Sequence, residues 1–71
     1  MNELPLAPVK RILKNANDDS PVSDDAVAAM AEAMEEWAMK VGRRAQELVR
    51  HRDKVTIEEK DVRLALKTLK E

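Results

Sequence analysis

The chain has 71 residues, 38% charged and 44% hydrophobic, with thirteen Lys and Arg against fourteen Asp and Glu and a formal net charge of −1. This length holds one small domain over residues 1–71 and excludes a two-domain enzyme, and the near balance of charge provides no global attraction to nucleic acid. With no cysteine and one histidine, disulfides and cysteine-based zinc sites are excluded, and neither a metal nor a cofactor is expected. A domain near 70 residues buries only about 60% of the surface of its unfolded chain, so without cross-links it calls for a partner. Trp37 is the one aromatic residue, and a core built from Leu, Ile, Val, Met and Ala favours packed helices. No apolar run reaches the roughly 18 residues of a membrane span, and MNELPLAPVKRIL lacks the order of a secretory signal. A soluble, intracellular chain is expected.

Three helices are read in chain order, because one Gly at 42 and three Pro at 5, 8 and 21 leave few breaks. The first is placed over residues 8–16, with Pro8 at the first helical position and Val9, Ile12, Leu13 and Ala16 along one face. Lys10, Arg11 and Lys14 line its other side. Asn15 to Ser20 is loop chemistry, and Pro21 disfavours helix at Ser20. Ser23 is an N-cap, with Asp24 and Asp25 in the first turn of a second helix that reaches about Arg52. Its apolar stripe comprises Val27, Met30, Ala31, Met34, Trp37, Ala38, Val41, Ala45, Leu48 and Val49. Asp53 to Ile57 interrupts the pattern, and Thr56 followed by Glu59 reads as a capping box opening a third helix over residues 58–70, with Val62, Leu64, Ala65, Leu66 and Leu69 as its apolar positions.

A helix of about 29 residues is roughly 43 Å long, whereas a compact globule of this size is under about 30 Å across. Two short helices cannot cover it, so the apolar stripe predicts a second chain across its middle. Met34, Trp37 and Val41 are the candidate dimer core, and Gly42 allows close backbone approach there.

LPLAPVKRILK at the start, VSDDA at the second helix, AQELVRH near its end and KVTIEEKDVRLALK in the last segment follow one another in a distinctive order. With them the sequence resembles the small archaeal histones over nearly its whole length. The resemblance implies an all-α histone fold, short, long and short helices joined by two loops, in an intertwined head-to-tail handshake dimer. It also implies binding of double-stranded DNA with little sequence preference, and further association of dimers into tetramers or larger assemblies. Arg11 matches the first-helix arginine that approaches phosphate or the minor groove, with Lys10 and Lys14 beside it; Lys54 and Thr56 match backbone contacts of the second loop. The family carries an Arg-to-Asp clamp at the spacing of Lys54 and Asp61, of which lysine makes a weaker version. Leu48, His51, Asp61 and Leu64 correspond to the bundle between dimers, with a His51 to Asp61 contact across it. Two departures thin the DNA surface: Pro21 stands where many members have arginine, and Val55 where a second basic residue often follows. Arg43 and Arg44 lie within reach of Glu47 and are read as an ion-paired solvated face.

The expected function is a cytoplasmic, nucleoid-associated histone that compacts chromosomal DNA without catalysis, its partners being duplex DNA and either itself or another histone-fold chain. The competing reading is a histone-fold pairing module with weak or no DNA binding, suggested by the near-neutral charge, Pro21 and Val55. No nucleophile stands beside a base and no Gly-rich phosphate loop is present, so an enzyme is not expected.

Overall fold

The computed structural model describes residues 4–70, and α1 spans Leu6–Ala16 with Pro5 as its N-cap. Pro8 is therefore the third helical residue, and the helix begins two residues before the start read from sequence. The first four N–H groups of a helix have no acceptor within it, so a proline in that turn forfeits no bond. Val9 is buried and Leu13 half-buried against Val27 and Ala31, with Val22 closing the cluster. Ile12 and Ala16, expected on the same face, are exposed, because the neighbouring helix covers only the side that carries Val9 and Leu13.

The exit from α1 is a backbone motif. Asp19 N–H donates to Lys14 O at 2.8 Å and Asp18 N–H to Asn15 O at 3.2 Å, with Asp18 itself at φ 52°. This is the Schellman arrangement, with aspartate at the left-handed position that glycine usually holds. α2 then runs over Asp24–His51. Ser23 caps it as expected: its Oγ accepts the Ala26 N–H at 3.1 Å. The helix ends one residue short of Arg52, and the same motif closes it. Lys54 N–H donates to Val49 O at 3.1 Å and Asp53 N–H to Arg50 O at 3.0 Å, with Asp53 at φ 57°.

α3 spans Glu59–Leu69 with Glu58 as its N-cap. The capping box read at Thr56 and Glu59 is displaced by two residues. The acid at the third helical position is Asp61, which accepts the Glu58 N–H at 2.9 Å, and Thr56 lies outside the helix altogether. Ala65 packs with Val41 and Ala45, flanked by Leu48 and Leu69. Thr68 Oγ1 donates to Ala65 O at 3.0 Å and accepts from Arg44 Nε at 3.4 Å.

Among the described residues there are three helices and no strand. The chain divides into two compact units within α2, between Glu36 and Trp37. The first unit has its core at Val9, Val27 and Ala31, the second at Val41, Ala45 and Ala65. Met34 and Ala38 continue the stripe of Val27, Ala31, Val41 and Ala45 at the same seven-residue repeat, yet both are exposed. From 32 to 40 every residue is exposed except half-buried Glu35. Trp37 remains 44% exposed and Met39 59%. Burial of an aromatic of this size is among the larger apolar gains open to a small chain, and the chain by itself does not realise it.

Candidate functional site

In the first unit, Lys10, Arg11 and Lys14 are all exposed. Their spacing of three and four residues puts them on one face of α1, turned away from buried Val9. No ion pair occupies them among the described residues. The loop that follows carries the opposite charge: Asp18 and Asp19, both exposed and both in left-handed backbone, precede Pro21. Asn17 Nδ2 donates to Pro21 O at 3.3 Å, which holds the loop closed without neutralising its aspartates. Beside it lies an apolar groove of about 650 Å³, lined among others by Leu13, Val22, Ala26, Met30 and Ala33.

In the second unit, the loop between α2 and α3 is tied by an ion pair that sequence reasoning missed. Arg52 Nη2 donates to both carboxylate oxygens of Asp61, at 2.8 Å and 2.7 Å. The resemblance points to Lys54 as the partner of Asp61; in the structure that partner is Arg52, two residues earlier. The reason is geometric. The left-handed turn at Asp53 brings the last residues of α2 back toward α3, and a guanidinium on a long stem spans both carboxylate oxygens where an ammonium is a point charge. The Asp61 side chain is only 4% exposed, against 33% for Arg52. Its carboxyl is held below its ordinary value of 3.8 by the Glu58 N–H; burial opposes this, and the Arg52 guanidinium reinforces it. The signal in the sequence was the arginine nine residues before Asp61, which reads as an ordinary helix-end cation until the turn is known.

The consequence falls on Lys54 and Thr56. Lys54 is exposed and carries no ion pair, and Thr56, freed from the capping role, is exposed beside it. Val55 between them is 95% exposed, an apolar side chain on an otherwise polar loop. Of the two α2 arginines near Glu47, Arg44 takes it at 2.9 Å, and Arg43 stays exposed without an ion pair.

Leu48, His51, Asp61 and Leu64 do come together. With Arg52 and Lys60 they line one groove of about 330 Å³ in the second unit, where Leu64 is 46% exposed. The candidate dimer-core residues separate. Val41 is spent within its own chain against Ala45 and Ala65, while Met34 and Trp37 stay exposed, with Lys40 Nζ 5.8 Å from the Trp37 ring centre. Gly42 meets nothing of its own chain: a Cβ there would find no atom within 4 Å. Among the described residues no helix is long and apolar enough to cross a membrane.

Comparison with known proteins agrees with this architecture. Residues 2–66 match the family described as histone-like transcription factor (CBF/NF-Y) and archaeal histone. The chain is 46% identical over 67 residues to the archaeal histone HAN1 of Thermococcus zilligii, covering 94% of this chain and 98% of that one. It is 42% identical to a probable archaeal histone 3 of Methanocaldococcus jannaschii, with the same coverage.

Proposed function

The chain belongs to the archaeal histone and histone-like CBF/NF-Y family, a family of DNA-binding chromatin proteins, and from that premise we propose that it binds duplex DNA without sequence preference and compacts it as dimers and larger assemblies. The observation that carries this reading is the Arg52–Asp61 bridge. It holds the second loop by itself and leaves Lys54 and Thr56 unengaged, as contacts to a phosphate backbone require. The free face of Lys10, Arg11 and Lys14 supplies the second set of cations. These groups read charge and spacing, and none presents the paired donor and acceptor needed to distinguish base edges in a groove.

Dimerisation is the second part of the proposal. The uncovered middle of α2 and the apolar groove of the first unit are surfaces that a handshake partner would bury. Further association would use the groove of Leu48, His51, Asp61 and Leu64. Asp61 Oδ1 accepts one bond within the chain, so it keeps acceptor capacity for His51 of a neighbouring dimer. The competing reading, a pairing module with little affinity for DNA, draws on Asp18 and Asp19, whose carboxylates stand exposed in the first loop.

A gel-shift titration with random duplex separates the two. Affinity near its tightest at about 50 mM salt and falling by orders of magnitude toward about 200 mM supports the histone reading, since each neutralised phosphate adds roughly 0.9 to the salt slope. No shift at the low salt, from a chain that sediments as a dimer, selects the pairing module.

A further inference from the structure

The charges of α2 are segregated along its length. From Asp24 to Glu36 it carries Asp24, Asp25, Glu32, Glu35 and Glu36 and no cation; from Trp37 to His51 it carries Lys40, Arg43, Arg44 and Arg50 against Glu47. The whole sequence has the same polarity. Residues 1–36 hold eight acids and three cations, a net of −5, and residues 37–71 hold ten cations and six acids, a net of +4. The total of −1 hides this division.

Neither helix chemistry nor pairing within the chain accounts for it. The helix dipole favours acids at the start and cations at the end, but only within the first and last turn. Glu32, Glu36, Lys40 and Arg43 all lie eight or more residues from either end of α2. Among the described residues, Arg44 pairs with Glu47 within α2, and Glu32, Glu36, Lys40 and Arg43 are exposed with no ion pair. The two blocks of charge meet where the apolar surface is uncovered, at Met34, Trp37 and Ala38.

We propose that this division of charge makes α2 selective for a second copy of the same chain laid head to tail, the acidic half of each helix beside the basic half of the other. The inference rests on the pairing read above and adds to it a choice of partner. A parallel copy would set acid against acid and cation against cation. A different chain, however apolar its own middle, would have to carry the same polarity to match. In a two-fold pair every attraction occurs twice, so contacts that are individually weak accumulate. They also steer the encounter, and salt screens them because they sit at the surface.

A charge swap in the full chain tests this. One variant carries Glu32→Lys with Glu36→Lys, the other Lys40→Glu with Arg43→Glu; all four positions are exposed. Self-association is followed by sedimentation equilibrium and by Trp37 fluorescence, in about 50 mM and about 500 mM sodium chloride. Each variant alone should self-associate about tenfold or more weakly than the native chain at low salt, with the gap narrowing at high salt. An equimolar mixture should recover the native association as a heterodimer. A neutralised form, Glu32→Gln with Glu36→Gln, should fall between and lose much of its salt dependence, which keeps the test decisive if a reversed variant fails to fold. Variants that dimerise as tightly as the native chain, or a mixture no tighter than its components, overturn the charge selection and leave the dimer standing. A native chain that is a folded monomer at both salts overturns the pairing itself.

Discussion

The first loop leaves α1 through Asp18 at φ 52°, and the second leaves α2 through Asp53 at φ 57°, each closed by the same two backbone hydrogen bonds. Beyond that shared start the two diverge. The first continues through Asp19 and Pro21 to the Ser23 cap, held by bonds that leave its carboxylates exposed. The second continues through Lys54 and Thr56 and is fastened to α3 by the Arg52–Asp61 bridge. A common backbone motif sets where each chain segment turns, and the side chains just past it set what the loop can attract. Attraction for phosphate is thus assigned to the second loop and α1, with the first loop opposing it.

The largest way to break this comparison is to remove the bridge. Arg52→Ala strands the Asp61 carboxylate in its buried place, and we expect thermal unfolding to move down by roughly 10 °C, read by circular dichroism. DNA affinity should fall with it, because the loop that presents Lys54 loses its anchor. Lys54→Ala should do the reverse: unchanged melting, but affinity reduced about tenfold in low salt for all duplex sequences alike. Its salt slope should drop by about two, one phosphate contact per copy in a dimer. Equal losses in melting temperature for the two substitutions would mean that Lys54 shares the clamp.

Neutralising the first loop probes the other side. Asp18→Asn with Asp19→Asn should tighten duplex binding about threefold at low salt, and the gain should vanish as salt is raised, since these carboxylates are solvent-exposed. An unchanged affinity would place the first loop away from DNA. Asp53→Gly and Asp18→Gly should each raise stability by up to about 1 kcal/mol, as both positions hold left-handed backbone that glycine adopts without strain. A smaller effect is expected from acid. The Asp61 carboxyl is lowered in the folded chain, so its contribution is complete above the ordinary carboxylate range and is lost as pH falls through the lowered value. Asp61→Asn should therefore flatten the acid limb of the stability curve, modestly, since Asp61 is one of fourteen acidic side chains.

Much of the fold was legible in local chemistry. Ser23 before Asp24 and Asp25 marked the start of α2, and the scarcity of Gly and Pro carried it to within a residue of its end, because capping and propensity act over a single turn. The cations of α1 were legible as a face for the same reason. The start of α1 and the cap of α3 were misplaced by two residues, since proline fits anywhere in a first turn and Thr56 and Glu58 both stand before acids at the spacing of a capping box. By itself, then, the sequence determined the order and length of three helices, the segregation of charge along the second, and the need for a partner. Only the tertiary structure decided that Arg52 rather than Lys54 holds Asp61, that Val41 is used within its own chain, and that Met34, Ala38 and Trp37 are left uncovered. These depend on which way a left-handed turn sends the chain and on how far a short helix reaches along a long one, and neither is written in the spacing of residues.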